Sequence, residues 1–205
     1  MKKALTIGEL LITMGIIGVI AMLTLPGFIQ DYHKRVYTTK LKKSVEMIEN
    51  AVNQACADNN VSYFYQTPYA NTADSGKHQQ DFIDKYFKKA GGINKNPFAT
   101  RYQILSTGRT QSMTGLVASH GWAKLAGGEA LSFWCNTSGK KYCRFRVDVN
   151  STDGPNIGGR DYFKIDLNIN TNELYDVGTV AKCGTTKDGD GCFAKLLENN
   201  WEMNY

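Results

Sequence analysis

A long apolar run near the N-terminus constrains this chain more than any other feature of its sequence. Between Leu5 and Ile29 the only charged residue is Glu9, and two lysines stand before the run. Twenty-five helical residues rise about 37 Å, whereas the hydrocarbon core of a bilayer is about 30 Å thick. The sequence therefore predicts a helix that spans a membrane.

Three interpretations of this run compete. A secretory signal peptide has a shorter apolar core and an A-x-A-like cleavage site behind it, whereas this run closes with Pro26-Gly27-Phe28-Ile29. A plain signal anchor fits the length but leaves Glu9 unexplained. The third interpretation gives Glu9 a function, because an ionisable side chain inside a membrane costs about 2.5 kcal/mol or more and usually has a partner.

The residues around Glu9 match a known family pattern. The stretch Ala4-Leu5-Thr6-Ile7-Gly8-Glu9-Leu10-Leu11-Ile12 resembles the class III signal of type IV pilins and type II secretion pseudopilins. In that family a prepilin peptidase cuts behind a short basic leader and methylates the new N-terminus. The resemblance implies cleavage between Ala4 and Leu5, so that Glu9 becomes the fifth mature residue, Gly18 the fourteenth and Pro26 the twenty-second. Ala4 replaces the usual glycine, Leu5 replaces the usual phenylalanine, and Gly8 is unusual in this stretch.

The resemblance also implies how the chain assembles. In the family the new N-terminal ammonium group, here on Leu5, pairs with the glutamate of a neighbouring subunit, here Glu9. A buried charge is tolerated when it has such a partner. Gly18 and Pro26 both weaken a helix, and the family's helix loosens between these two points in assembled filaments.

Apolar residues continue at helical spacing beyond the membrane segment. They recur in steps of three and four, and no glycine or proline interrupts them before residue 60, so we expect the helix to continue to about Asp58. The predicted organisation is a leader over 1–4, an assembly helix over 5–29, its amphipathic continuation over 30–58 and an extracytoplasmic globular domain over 59–205. The residues of the amphipathic face are Val36, Tyr37, Leu41, Val45, Ile48, Val52, Ala55 and Cys56.

The remaining sequence predicts an α+β domain, in which the long helix packs on a C-terminal antiparallel sheet as in pilins. Short helices are expected over 77–90, ended by Gly91-Gly92, and over 193–199. The predicted strands are 102–106, 116–119, 130–135, 142–149, 161–169 and 173–177.

The five cysteines favour disulfides and hence an oxidising compartment. They form no C-x-x-C pair, and the three histidines are scattered, so zinc spacing is absent. Cys135 and Cys143 flank a turn-like segment, and Cys183 and Cys192 flank a loop rich in glycine and aspartate. These two pairs are predicted, with Cys56 left free, although other pairings remain open.

The segment from Asp148 to Asp161 is rich in oxygen-bearing side chains. It resembles a D-x-N-x-x-x-G-P-N-x-x-G-x-D-x-F segment seen in many pilin-like proteins. Oxygen ligands at alternate positions are typical of calcium loops, with Asp148, Asn150, Asp153 and Asp161 as candidate ligands. No glutamate stands at the twelfth position of an EF-hand, and the alternative is that these residues build tight turns. No other cofactor is expected.

No catalytic motif supports an enzyme; the one S-x-x-K match, Ser138 to Lys141, lies in the predicted turn between two strands. The leading hypothesis is a structural subunit of a type IV pilus or pilus-like filament. Its expected partners are further copies of itself, prepilin peptidase, the inner-membrane assembly platform and, before assembly, membrane lipid. The alternatives are a type II secretion pseudopilin, a DNA-uptake minor pilin or, less favoured, a signal-anchored secreted domain.

Charge and compartment complete the expectation. The net charge of +5 is mild and residues 182–195 are not clearly basic, so DNA is not indicated as a partner. The precursor is expected in the inner membrane, and the mature chain in the periplasm or in a filament on the cell surface. Five cations between residues 34 and 43 oppose this orientation under the positive-inside rule, while the cysteines and the processing signal favour it.

Overall fold

The computed structural model describes residues 6–71, 76–92, 95–113, 120–136 and 141–205. Its contacts divide the chain into two units, Met1–Val36 and Tyr37–Tyr205.

The helix α1, Ile7–Asp58, is the longest element of the chain. It ends at the residue that the apolar spacing predicts, and Pro26 lies inside it. Among the described residues it is the one helix whose length and apolar character suffice to cross a membrane. In the second unit it buries a stripe of residues at steps of three and four, which contains every residue of the predicted amphipathic face except the half-exposed Val36: Tyr37, Thr38, Leu41, Ser44, Val45, Ile48, Ala51, Val52, Ala55 and Cys56.

Among the described residues of the second unit, eight strands form one sheet in the order β2-β1-β6-β7-β5-β4-β3, with β8 paired to β7. The alternating apolar residues of the three long strands β4, β5 and β7 make its centre, close to their predicted positions. The strands are β1 Arg101–Ile104, β2 Thr110–Ser112, β3 Gly121–Lys124, β4 Ala130–Asn136, β5 Tyr142–Asp148, β6 Ile157–Gly158, β7 Tyr162–Leu167 and β8 Leu174–Tyr175.

The sheet is mixed: its pairs are antiparallel, as predicted, except for the two that involve β6. Strand β6 pairs in parallel with β1 and also with β7, the latter through Gly158 and Tyr162. Parallel neighbours normally need a long crossover. Here a tight turn suffices, because the Asp161 carboxylate accepts hydrogen bonds from the backbone N–H groups of Asn156 and Ile157, at 2.7 and 2.6 Å.

The described residues also contain two short α-helices, α2 Lys77–Tyr86 and α3 Cys192–Glu198, and three single-turn 3₁₀ helices, Phe64–Gln66, Pro68–Ala70 and Val180–Lys182. Helix α2 is shorter than predicted, because the chain beyond it pairs with the sheet edge. Lys89 forms a bridge with Leu125, and the Ala90 N–H donates to the Lys124 carbonyl. The predicted strand 116–119 lies outside the described residues.

The core of the second unit lies on the inner face of the sheet and is rich in aromatic rings. Phe82 of α2, Phe133 of β4 and Phe145 of β5 are fully buried. The Phe133 ring centroid lies 4.7 Å from that of Phe82 and 4.7 Å from that of Phe145. Such pairs contribute about 1 kcal/mol each beyond their buried area, so they fix α2 on the sheet. The Lys40 ammonium of α1 also donates to the Val149 carbonyl at 3.1 Å.

Candidate assembly helix and C-terminal loops

The N-terminus of α1 is closed by a reciprocal pair, Thr6 and Glu9. Glu9 Oε2 accepts hydrogen bonds from the Thr6 backbone N–H at 2.9 Å and from Thr6 Oγ1 at 2.8 Å. The Glu9 N–H donates to Thr6 Oγ1 at 3.3 Å. This is a capping box. Its T-x-x-E signal is present in the sequence, but the sequence analysis did not predict the cap. The carboxylate thus has donors within its own chain. The predicted cleavage residues Ala4 and Leu5 lie outside the described residues.

The first unit exposes its large apolar side chains on all sides of the helix. A helix that is apolar all round needs lipid or other protein to cover it. An added Cβ at Gly18 would meet nothing within 4 Å, so no contact within the described chain requires glycine there. The exposed residues are Ile7, Leu10, Leu11, Ile12, Met14, Ile16, Ile17, Val19, Ile20, Met22, Leu23, Leu25, Phe28 and Ile29.

Both predicted disulfides are present. Cys135 and Cys143 are direct cross-strand partners in β4 and β5, and their sulfurs are bonded. Cys183 is bonded to Cys192 at the start of α3. The fifth cysteine, Cys56, is free and buried. Burial raises the pKa of its thiol, which disfavours the reactive thiolate.

The carboxylate of Asp176 organises the loop that the second disulfide closes. Its Oδ1 accepts the N–H groups of Gly178 and Gly191 at 2.7 and 2.9 Å. Its Oδ2 accepts those of Phe193 and Ala194 at 2.9 and 3.2 Å. Burial raises the pKa of Asp176, and these four bonds oppose the shift. Sequence reasoning missed this residue, since its local signal, an aspartate two residues before a glycine, is shared by any Asx turn.

Glycines let the disulfide loop pack directly on the strand β6. A Cβ at Gly159 would collide with the sulfur of Cys192, and one at Gly158 would collide with the Lys187 carbonyl. Gly159 also has a φ of +84°, which favours glycine. Lys164 forms an ion pair with Asp190 of the loop, and the Lys187 ammonium donates to the Ser112 carbonyl at 2.8 Å. The loop is therefore fixed to the sheet by backbone contact as well as by charge.

Two of the four candidate calcium ligands, Asp148 and Asp161, accept hydrogen bonds from the protein, whereas Asn150 Oδ1 is buried without a hydrogen-bond partner among the described residues. The Tyr102 hydroxyl donates to Asp148 Oδ2 at 2.5 Å, and the Asn150 N–H donates to Asp148 Oδ1 at 3.2 Å. Asp161 closes the turn described above, and Asp153 is exposed. Within the described parts of the chain, no group of three or more His, Cys, Asp or Glu side chains is placed to hold a metal ion. The arrangement favours the alternative that these residues build turns.

Burial changes the acidity of the two carboxyls in this segment. It raises the pKa of Asp148 to about 8, with a further increase from the nearby charge of Asp161. It raises the pKa of Asp161 to about 6, against the opposing effect of the backbone N–H donors. The segment is also attached to α1, since Asn150 Nδ2 donates to the Tyr37 hydroxyl at 3.4 Å. These acids are structural groups whose protonation affects stability.

Comparison of the chain with protein-family models, with characterised proteins and with solved structures finds no match.

Proposed function

We propose that this chain is a subunit of a type IV pilus or pilus-like filament, processed by a prepilin peptidase and assembled through its N-terminal helix. One observation carries the proposal. Four residues have the spacing of the prepilin signal: Ala4, Glu9, Gly18 and Pro26. The last three lie inside the apolar run, and Ala4 directly precedes it. The described part of this segment is helical, and its apolar side chains are exposed.

The exposed apolar helix supports assembly on energetic grounds. Burial of apolar area stabilises by about 25 cal/mol per Å², so the side chains between Ile7 and Ile29 strongly favour a covered state. A bilayer supplies that cover for the precursor, and the helices of other subunits supply it in a filament. Gly8, Gly15 and Gly18 have open space around the position of a Cβ, which would let another helix approach closely.

The second unit supports a location outside the cytoplasm. Two disulfides close it, at Cys135–Cys143 and Cys183–Cys192, and disulfides persist in oxidising compartments. A long helix joined to a sheet domain is the arrangement that the resemblance implies. The proposal covers a surface pilus and a periplasmic pseudopilus, which differ in where the filament ends.

The proposal is tested with two substitutions and a matched control in cells that contain a prepilin peptidase. Ala4→Leu should block removal of the leader, because a bulky residue replaces the small one before the cut. Glu9→Gln should leave insertion and cleavage intact but lower the amount of assembled filament at least tenfold, since the Leu5 ammonium group loses its charged partner. Glu49→Gln, at an exposed position of the same helix, should change neither.

The readout is the amount of chain in filaments sheared from the cells, compared with the membrane fraction. Recovery of Glu9→Gln in sheared filaments at the level of the parent chain would contradict the assembly role of Glu9. Chain found in no filament of any kind, with leader intact, would leave a signal-anchored domain. Processed chain confined to the cell envelope would identify a pseudopilin or a minor subunit.

A further inference from the structure

The outer face of strands β3, β4 and β5 combines aromatic rings with cations. The inward residues of these strands are largely buried, while seven outward residues, together with His120 directly before β3, are half-exposed. Apart from Asn136, every one of the eight is aromatic or basic, and none is a carboxylate. We call this surface the aromatic–basic face; its residues are His120, Trp122, Lys124, Trp134, Asn136, Tyr142, Arg144 and Arg146.

A connected path of rings leads from His120, directly before β3, through Trp134 of β4 to Tyr142 of β5. The His120 and Trp134 ring centroids are 5.5 Å apart, and those of Trp134 and Tyr142 are 5.7 Å apart. The Arg144 guanidinium lies 4.8 Å from the centroid of the Tyr142 ring. Trp122 pairs with Ser132, two residues before Trp134 on the neighbouring strand. The two tryptophans are thus diagonal neighbours, for which Cα atoms are about 7 to 8 Å apart.

The charge of this face suits an anionic partner. Arg144 donates to both carboxylate oxygens of the buried Asp166, at 2.6 and 2.9 Å, and this pair is neutral. Arg146 Nη1 lies 3.1 Å from His120 Nδ1, and its Nε has no hydrogen-bond partner among the described residues. Lys124 lies on one side of the face, and the exposed Lys141 precedes β5 on the other. The net charge that this face presents is therefore positive.

We propose that the aromatic–basic face binds single-stranded nucleic acid. Aromatic side chains on neighbouring strands stack on successive bases, and cations beside them contact the phosphates; both features are combined here. A duplex hides its bases in its own stack, so it gains little from Trp122 and Trp134. An anionic polysaccharide could contact the cations of this face. The face has no half-exposed carboxylate to accept hydrogen bonds from sugar hydroxyls, so a polysaccharide is the less suitable partner.

This binding does not depend on filament assembly, because every residue of the face belongs to one chain. It differs from the expectation drawn from the sequence, in which the net charge was mild and residues 182–195 were not clearly basic. Only β5 carries a local signal, since basic and aromatic residues precede and alternate along it from Lys141 to Arg146. The tryptophans come from two other strands, and pairing in the sheet brings them to the same face.

The test uses the full chain in a non-ionic detergent and a fluorescently labelled oligonucleotide of twenty thymidines, with binding followed by anisotropy. The competitors are an unlabelled DNA duplex and dextran sulfate, which has charge but no bases. Trp134→Ala should weaken binding about five- to a hundredfold, the loss expected for one stacked base. Lys141→Gln, at an exposed position, should lower the slope of log affinity against log salt by about 0.7.

Controls keep the outcome decisive if Trp134→Ala is poorly folded. Trp134→Phe keeps a ring at this position and should retain most of the binding. Tyr65→Ala is a control away from the aromatic–basic face, because the neighbouring Phe64 packs on Phe133 at the inner face of the sheet. It removes an exposed ring and should leave the affinity unchanged. The proposal is supported if the thymidine oligonucleotide binds more tightly than both competitors, and if Trp134→Ala weakens its binding and Lys141→Gln lowers its salt dependence while Trp134→Phe and Tyr65→Ala largely retain the affinity.

Three other outcomes overturn it. Absence of binding at 50 mM salt would show that the face is no nucleic-acid site. Equal affinity for all three polyanions, unaffected by loss of the Trp134 ring, would show attraction by charge alone. Tighter binding of dextran sulfate than of the oligonucleotide would assign the face to a sulfated or carboxylated polysaccharide.

Discussion

The Glu9 carboxylate accepts two hydrogen bonds from Thr6, one from its backbone N–H at 2.9 Å and one from its hydroxyl at 2.8 Å. The one acidic residue of the apolar segment therefore caps the helix in which it lies. Its placement three residues after Thr6 satisfies donors at the helix start that would otherwise be unpaired. In the proposed filament the same carboxylate would meet the ammonium group of a neighbouring subunit, so that capping and assembly would use one side chain.

Substitution of Thr6 tests the cap. Thr6→Val removes the hydroxyl while keeping the shape of the side chain, and should weaken the start of the helix by about 1 kcal/mol. The amides of Ile7, Gly8 and Glu9 should then exchange with solvent deuterium about fivefold faster in detergent micelles. Thr13→Val is the matched control, because the Thr13 hydroxyl donates to the Leu10 carbonyl beyond the cap. Equal exchange in the parent chain and in Thr6→Val would show that the cap does not stabilise the helix.

The raised pKa of Asp148 predicts a dependence of stability on pH. The native state holds a proton on this carboxyl up to about pH 8, whereas the unfolded chain releases it near pH 4. Stability should therefore fall as the pH rises between these values, by about 1 kcal/mol per pH unit between pH 6 and 8. Urea unfolding followed by tryptophan fluorescence measures this, since Trp122, Trp134 and Trp201 all lie in the second unit.

Asp148→Asn should remove most of that slope between pH 6 and 8. Asp161, with a pKa of about 6, should still cause a fall between about pH 4 and 6. The exposed Asp153, in the same segment, supplies the control Asp153→Asn, which should keep the slope of the parent chain. A slope of the same size in Asp148→Asn would contradict the assignment to this carboxyl.

Loss of Asp176 should release the C-terminal disulfide loop. Asp176→Ala leaves four backbone N–H groups without their acceptor and should destabilise the second unit by roughly 3 kcal/mol. Asp176→Asn keeps one acceptor oxygen and should lose less. Hydrogen exchange of residues 183–194 and urea unfolding measure both effects. Asp188→Ala, in the same loop, is the control, and its free energy of unfolding should stay within about 0.5 kcal/mol of that of the parent chain. An Asp176→Ala variant as stable as the parent chain would show that Asp176 does not hold the loop.

Contact between the loop and β6 predicts a severe effect at Gly159. Gly159→Ala places a methyl group against the sulfur of Cys192 and forces a non-glycine residue to a φ of +84°. The second unit should lose about 2 kcal/mol or more in urea unfolding. Gly91→Ala is the control, because a Cβ there meets nothing within 4 Å and its φ is not positive. Equal stability of the two variants would contradict the close packing of the loop.

Long elements with a regular pattern were predictable from the sequence. The end of α1 at Asp58, the strands β4, β5 and β7, and both disulfides follow from periodicity and cysteine spacing. The two-residue strand β6 and its parallel pairing with β1 were not predictable from the sequence. The paired residues Gln103 and Ile157 are 54 positions apart and carry no local signal.

Functional groups that depend on tertiary structure could not be predicted from the sequence either. Asp176 acquires its role only when residues 178 and 191–194 fold around it. The short strand β3 was also missed, and with it the position of Trp122 beside the residues of β4 and β5. Helix α2 ends before the predicted residue 90, because the pairing of Lys89 with Leu125 stabilises an extended backbone more than helix propensity stabilises the helix.

The N-terminal peptide of the chain shows whether a prepilin peptidase processes it. Mass spectrometry of sheared filaments and of membranes, from cells that contain a prepilin peptidase, measures its start and its methylation. The expected peptide begins at N-methylated Leu5. A chain that retains its Met1 end in every fraction would contradict this processing and leave a signal-anchored domain.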